Sequence, residues 1–166
     1  MSRDVFLIPV TFPEFKRTVT SPVNLTELPI HKSTLDEMDT PENARIWGVK
    51  NSNMNKKFYK KMAEGDYLFF YYDDHYPYFG RVGHKFQSDV ISREYWGDIS
   101  ADMLYMITDF NNIDVSCETL NEACEYKANY RPQSIHRISN KAYRRLRRKY
   151  DSIENFVSKS REQAES

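Results

Sequence analysis

The stretch RIWGVKNSNMNKKFYKKMAEGDYLFFYYDDHYPYFGRV, residues 45–82, decides what this chain can fold into. It predicts a short strand ending at Trp47, a polar loop, a basic helix, a Gly-Asp turn and an aromatic β-hairpin. A tryptophan at a strand end, followed by amide and hydroxyl side chains, offers a flat face for stacking beside donors and acceptors. That combination is typical of a site that holds a flat polar ring.

A basic helix is predicted for residues 53–63. Asn53 is placed at the N-cap, because its side-chain oxygen can accept a free backbone N–H of the first turn. Phe58 and Met62 lie four residues apart and therefore share a face. Gly65 is suited to the left-handed position that ends a helix. Much of the remaining helix surface is covered by Lys56, Lys57, Lys60 and Lys61.

An aromatic hairpin follows this helix. Residues 67–72 are a run of aromatic and aliphatic side chains, long enough for a strand and too short for an isolated helix. Residues 73–77 are predicted to turn. Residues 78–82 return as the second strand, with Gly80 at a bulge or a close approach.

The segments on either side are less regular. An opening strand is expected at residues 5–11, and a short strand or a turn of helix at 14–20. The prolines of segment 21–42 predict an irregular connection. Beyond the hairpin the pattern predicts a third strand at 84–91, a loop at 92–98, a strand at 103–108, a turn at 109–114 and a helix after Ser116. Trp96, in the predicted loop, is either a second aromatic wall or rim packing.

The last predicted helix, residues 139–150, combines an apolar stripe with a dense basic surface. Ser139 or Asn140 can cap it, and its apolar stripe consists of Ala142, Tyr143, Leu146 and Tyr150. The basic residues of this region are Arg137, Lys141, Arg144, Arg145, Arg147, Arg148 and Lys149. They form either a solvated face balanced by acidic neighbours or a ridge that contacts phosphates.

Size and composition indicate one ordinary domain, since 166 residues with 40% hydrophobic side chains suffice for one core. Residues 1–150 are taken as this domain and the polar residues 151–166 as a helix end or linker. Lys+Arg and Asp+Glu both number 24, so only a local basic surface could attract a polyanion. The aromatic content of 14% favours β structure and aromatic recognition surfaces.

Cysteine usage and hydropathy indicate a cytoplasmic protein. Cys117 and Cys124 do not form a secreted disulfide framework, and two thiols alone are not a metal site, so free thiols are the simple interpretation. The apolar segment 5–10 is too short for a signal peptide. No stretch approaches the ~20 apolar residues of a membrane span, so no membrane partner is expected.

Catalytic and metal-binding patterns are not found in the sequence. The four histidines are scattered, without the spacing of a metal site, and no phosphate-binding glycine loop occurs. The triplet at residues 73–75, Asp-Asp-His, could suggest an acid or metal site, but aspartate is favoured in turns for its geometry alone. We therefore expect no catalytic residue, no metal and no cofactor.

The order of a tryptophan, a polar loop, a lysine-rich helix, a Gly-Asp turn and an aromatic strand resembles the PUA-like superfamily, and within it the EVE and YTH domains. WGVKNSNMNKKF, residues 47–58, is similar to the YTH segment in which a cage tryptophan precedes an Asn by six places and then a Lys-Lys pair. EGDYLFFY, residues 64–71, resembles the EVE pattern in which Gly-Asp opens a strand. PQSIHRIS, residues 132–139, resembles the close of modified-base-binding domains at the N-terminus of McrB-type restriction proteins.

The resemblance implies an α+β, PUA-like fold, a curved β-barrel flanked by helices, which binds a flipped-out base in an aromatic cage. Trp47 would be the first cage wall, and Trp96 the second by its position after the central strands. Gly48 stands where the YTH pattern has Ser, so only its backbone can contact a base. Asn53 occupies the matching Asn position. A fused or associated GTP-using motor or nuclease domain is also implied.

The resulting hypothesis is a non-enzymatic domain that recognises a methylated base, such as methyladenine, in DNA for a McrB-type modification-dependent restriction system. The expected base-binding residues are Trp47, Gly48, Asn51, Ser52, Asn53, Tyr71 and Trp96. The expected phosphate contacts are Lys50, Lys56, Lys57, Lys60, Arg81, Arg144, Arg147 and Arg148. Two alternatives stay open: the same fold reading a methylated base in RNA, and a protein-interaction domain without nucleic-acid binding.

Overall fold

A computed structural model describes residues 3–28, 42–98 and 100–165, with side chains described as far as Ser160. Its strands are β1 (Val5–Pro9), β2 (Val23–Asn24), β3 (Asn43–Val49), β4 (Tyr67–Tyr72), β5 (His75–Gln87), β6 (Met103–Ser116) and β7 (His136–Arg137). Its α-helices are α1 (Asn53–Lys61), α2 (Asp89–Tyr95), α3 (Cys117–Cys124), α4 (Asn140–Tyr150) and α5 (Ile153–Glu165). A π-helical turn, Lys16–Thr20, and a 3-10 turn, Leu25–Glu27, complete the described elements.

The strands form one mixed sheet in the order β2-β3-β6-β5-β4-β1-β7. Strand β1 runs parallel to β4, and β3 runs antiparallel to β6. This is the α+β class expected from the sequence. The order is linear, however, and the predicted closure into a barrel is not found among the described residues. Strands β2 and β7, at the two ends of the order, are each two residues long and offer few backbone groups for further pairing.

Two compact units share these strands. The first comprises Met1–Pro9, Tyr67–Gly80 and Phe110–Ser166, and the second comprises Val10–Asp66 and Arg81–Asp109. In the first unit, β1 and β4 each bury four consecutive residues. Such continuous apolar runs are typical of strands that are covered on both faces.

Helices α3, α4 and α5 complete the core of the first unit. They contribute the fully buried side chains Leu120, Leu146 and Phe156. Residues 151–166 were expected to be a helix end or linker. The structure has a separate helix there, α5, because Ile153 and Phe156 supply an apolar face that the core buries.

The hairpin between β4 and β5 has a shorter turn than the sequence predicted. Only Asp73 and Asp74 turn, both with left-handed backbones (φ 51° and 66°), which is the geometry that suits the twist of a two-residue hairpin loop. The interpretation of the triplet at residues 73–75 as a turn is therefore confirmed at its two aspartates. Strand β5 begins at His75 and continues to Gln87.

Three predictions after the hairpin are wrong. The expected third strand, 84–91, is the end of β5 followed by α2, which begins because the Ser88 hydroxyl accepts the Val90 N–H at 3.2 Å. Helix α2 also takes most of the expected loop at 92–98. The expected turn at 109–114 lies inside β6, since Asp109 and Asp114 adopt left-handed backbones there without ending the strand.

Serine residues cap helices α1 to α4, as their side-chain chemistry favours. The predicted starts of α3 after Ser116 and of α4 after Ser139 are confirmed. The N-cap prediction for α1 is wrong by one residue. Ser52, not Asn53, is the cap, and its hydroxyl accepts the Asn55 N–H at 3.2 Å. Gly65 has the expected left-handed backbone, with φ 92°, but it does not end the helix, because α1 ends at Lys61 with an extended C-cap at Met62.

The core of the second unit lies between β2, β3, β6 and α2, with Ile46, Ile91 and Leu104 fully buried. The π-helical turn lies against β3, where the Thr18 hydroxyl donates to the Ile46 carbonyl at 2.5 Å. This settles residues 14–20 as a helical turn. Segment 21–42 contains β2 and the 3-10 turn, while Pro29, His31 and Pro41 lie outside the described residues.

His136 in β7 is expected to make the stability of the first unit depend on pH. Burial beside Tyr126 and Tyr130 lowers the pKa of His136 below its ordinary value. Between the two pKa values the unfolded chain binds more protons, so stability falls as the pH drops below about 6.5. Thermal unfolding from pH 8 to pH 5 measures this loss. A smaller slope in His136→Gln is expected, and an unchanged slope would contradict the assignment.

Candidate functional site

Trp47 lies near the end of β3, in the second unit, and forms an aromatic cluster with Phe15 and Trp96. The ring centroids of Trp47 and Phe15 are 5.2 Å apart at 72°, and those of Trp47 and Trp96 are 5.5 Å apart at 71°. The indoles of Trp47 and Trp96 are both half-buried. The two tryptophans expected at a base-binding site are therefore in contact.

The ring planes of Trp47 and Trp96 meet at 71°, so the two indoles form a corner and do not lie parallel to each other. A base inserted between two rings needs ring planes roughly 7 Å apart, twice the contact distance of carbon atoms. Edge-to-face rings with centroids 5.5 Å apart leave no such gap. A base stacked on one indole would instead direct an edge toward the other.

Gly48 allows Trp96 to pack against the backbone of β3. A Cβ atom at this position would lie 2.8 Å from Leu104 Cδ2 and 2.9 Å from Trp96 Cζ3, closer than carbon atoms approach. The backbone contact of Gly48 to a base stays a prediction. The structure also gives Gly48 a packing role beside Trp96, which a single sequence could not indicate.

Replacing Gly48 by alanine is expected to displace Trp96 from Trp47. Overpacking of this kind typically costs about 1–3 kcal/mol. Thermal unfolding and the near-UV circular dichroism of the tryptophans measure both effects. Gln87→Ala is the control, because Gln87 is exposed in the same unit and lies outside the aromatic cluster. Identical spectra and melting temperatures for Gly48→Ala and the wild type would contradict this packing role.

The polar loop after β3 is held by hydrogen bonds that its backbone makes with Ser100 and Asn55. The Asn51 N–H donates to the Ser100 carbonyl at 2.8 Å, and Asn55 Nδ2 donates to the Lys50 carbonyl at 3.1 Å. The Ser52 hydroxyl is engaged as the helix cap. The exposed side-chain amides of Asn51 and Asn53 find no hydrogen-bond partner among the described residues, so they are available to a ligand.

The indole N–H of Trp96 was not foreseen as a feature of the site. Its nitrogen is buried and has no hydrogen-bond acceptor within the part of the chain that the structure describes. A buried donor without a partner is unfavourable, typically by about 1–3 kcal/mol. The sequence could not signal it, because it follows from the packing of α2 against β3.

The lysines expected to contact phosphates in the second unit are accessible. Lys50, Lys56, Lys57 and Lys60 are exposed, and Lys50 Nζ lies 3.9 Å from Asp98. Arg81 is half-buried, and its Nε donates to the Gly65 carbonyl at 3.0 Å. Of this group, the four lysines are therefore the side chains best placed to meet a polyanion.

The other expected site residues belong to the first unit. Tyr71 packs edge-to-face on Tyr76, with ring centroids 5.7 Å apart, and burial raises its pKa. Arg144, Arg147 and Arg148 are exposed on α4. Their participation in a site with Trp47 stays a prediction.

Sequence reasoning also missed a pocket of about 550 Å³ in the second unit. Its lining includes Arg45 of β3, His84 of β5 and Thr108 of β6, together with Glu64. Three strands distant in sequence supply these residues, so no local motif could have indicated the pocket. Trp47 and Trp96 do not line it.

The described residues contain no group of three or more His, Cys, Asp or Glu side chains that could hold a metal ion. Cys117 and Cys124 are buried free thiols, as expected. Burial raises the pKa of Cys117 to about 11 and that of Cys124 to about 12, so neither is a thiolate near neutral pH. Within the described part, no helix is both long and apolar enough to cross a membrane.

The fold has the α+β class that the sequence resemblance indicated, and it is shared with a solved structure. It is similar to the N-terminal domain of Thermococcus gammatolerans McrB bound to m5C DNA, with a TM-score of 0.67 and 17% identity over 93% of this chain and 99% of that one. An ASCH protein from Zymomonas mobilis matches with a TM-score of 0.48 and 14% identity over 87% of this chain and 94% of that one. No protein-family profile matches the chain. No curated protein matches it either.

Proposed function

We propose that this chain recognises a modified base in DNA, extruded from the duplex and stacked in the corner formed by Trp47 and Trp96. The observation that carries the proposal is the contact between these two half-buried indoles, at 5.5 Å and 71°. The likeness of the fold to a McrB domain bound to m5C DNA supports the choice of ligand.

Stacking would supply the affinity at this corner. A base inside a duplex is out of reach, so recognition requires extrusion, which costs a few kcal/mol. Stacking on an aromatic side chain contributes roughly 1–3 kcal/mol per base. The exposed amides of Asn51 and Asn53 are suited to reading the edge of the base, and an acceptor on the ligand could satisfy the Trp96 N–H.

Nonspecific affinity would come from the exposed lysines of α1 and from Lys50. Lysines that neutralise phosphates release counterions, so this part of the affinity falls as the salt concentration rises. The proposal extends to a role as the targeting domain of a McrB-type modification-dependent restriction system, with motor or nuclease functions on other domains. Methylation is the modification best suited to an apolar corner, since a methyl group adds contact area without a polar group.

Titration of fluorescent duplexes that carry one 5-methylcytosine, one 6-methyladenine or no modification tests the proposal. One of the methylated duplexes is expected to bind more tightly by about fourfold, the effect of burying one methyl group worth ~0.8 kcal/mol. Equal or absent binding to all three would contradict the proposal. A matched methylated RNA that binds more tightly than its DNA counterpart would favour the RNA-reading alternative.

A further inference from the structure

Met54 is an unusually exposed apolar side chain, at the start of α1. It is 61% exposed, and Tyr72 is the other large hydrophobic residue that stands out in this way among the described residues. One exposed apolar residue is ordinary on a protein surface. The hydrogen bonds that hold its backbone and the charges near it indicate a more specific role for Met54.

The backbone that presents Met54 is held on both sides. The Ser52 hydroxyl accepts the Asn55 N–H at 3.2 Å, and the Ser52 carbonyl accepts the Lys56 N–H at 2.9 Å. On the other side, Asn55 Nδ2 reaches back to the Lys50 carbonyl at 3.1 Å. These hydrogen bonds fix the backbone of the turn that contains Met54, and the exposed side chain extends from it.

The chain segment around Met54 is basic, and the acidic side chain paired with it is Asp98, 3.9 Å from Lys50 Nζ. Residues 50–63 contain no acidic side chain, and the exposed Lys50, Lys56 and Lys57 lie close to Met54 along this segment. An exposed apolar side chain among lysines is complementary to a polyanion that has an apolar interior. The stacked bases of a duplex, enclosed by phosphates, have this chemistry.

Met54 also follows Trp47 closely in the chain. Strand β3 ends at Val49 and α1 begins at Asn53, so a short loop connects the strand that contains Trp47 to the helix that contains Met54. Seven residues span at most about 25 Å, which corresponds to about seven base pairs at the ~3.4 Å rise of a duplex. A ligand that stacks on Trp47 could therefore meet Met54 at the same time.

We propose that Met54 is a wedge that enters the base stack at the position vacated by the extruded base, so that the ligand is double-stranded DNA. The inference rests on the proposed function. Apolar side chains inserted between base steps fill the gap and keep the helix open. Methionine suits this role because its unbranched, polarizable chain adapts to an irregular gap.

Binding of Met54→Ala to three methylated probes of one sequence tests the wedge: a paired duplex, the single strand, and a duplex in which the target base faces an abasic site. Affinity for the paired duplex is expected to fall about fivefold to twentyfold, as for other lost base-stack contacts. Affinity for the other two probes is expected to change by less than about twofold, because little stacking is lost when the base is already unpaired. Met54→Leu is expected to behave as the wild type.

Two readouts keep the outcomes distinct. Met54 is exposed, so Met54→Ala should melt as the wild type does, and Gln87→Ala serves as the control for an exposed residue of the same unit. Wild-type affinity of Met54→Ala for the paired duplex, or an equal loss on all three probes, would overturn the wedge alone. A wild-type chain without preference for any methylated probe, the single strand included, would overturn the proposed function and the wedge together.

Discussion

Replacement of Trp47 by alanine is expected to weaken binding to a methylated duplex by roughly 5- to 150-fold, the equivalent of the 1–3 kcal/mol that one aromatic stacking contact contributes. The indole provides the stacking face, and its loss also frees Trp96 from its edge-to-face partner. Fluorescence titration at constant salt measures the change. Without the Trp47 indole, the preference for the methylated over the unmodified duplex should disappear.

Stability must be separated from binding in this experiment, because Trp47 also contacts Phe15. Titrations are therefore made well below the melting temperature of each variant. Phe86→Ala is a matched control, since Phe86 is a half-buried aromatic residue of the same unit that stacks on His84 outside the cluster. Trp47→Phe should retain part of the affinity. If Trp47→Ala bound as tightly as Phe86→Ala, the corner would not be the site.

Replacement of Phe156 by alanine is expected to lower the free energy of unfolding by about 3–5 kcal/mol, the usual effect of removing a large aromatic side chain from a core. Phe156 is fully buried, and its ring packs edge-to-face on Phe69 at 5.9 Å and on Tyr150 at 4.9 Å. For a chain of this size the melting temperature should fall by roughly 6–20 °C. Thermal unfolding followed by circular dichroism measures it.

The result decides whether α5 belongs to the domain. Ser158→Ala changes an exposed position of the same helix and should alter stability by less than about 0.5 kcal/mol. Were residues 151–166 a linker, as their polar composition suggested, both variants would melt like the wild type.

Elements set by neighbours in the chain could be predicted well. The strand at residues 67–72, the helix starts after Ser116 and Ser139, and the left-handed Gly65 all agree with the structure. Each depends on local chemistry: a run of aromatic side chains, a hydroxyl that accepts a first-turn N–H, or a residue without Cβ. The cap of α1 was predicted one residue too late, at Asn53, because both asparagine and serine can accept a first-turn N–H and the structure uses Ser52.

The extent of the strands and the helical C-terminus could not be predicted from local rules. Strand β6 continues through Asp109 and Asp114, which read as turn residues, because pairing in the sheet outweighs the local preference of single residues. Residues 151–166 were expected to be a helix end or linker, and they form the separate helix α5 because a core is present to bury its few apolar residues.

Adjacent residues were sufficient to predict a tryptophan near a strand end, followed by a polar loop and a lysine-rich helix, because strand, loop and cap depend on local chemistry. The folded chain was needed to learn that Trp96 and Phe15 contact Trp47, that Gly48 leaves room for Trp96, and that Met54 stays exposed beside the lysines. Contacts between distant segments form only when the free energy gained by burying the core outweighs the loss of chain entropy. No local pattern encodes them.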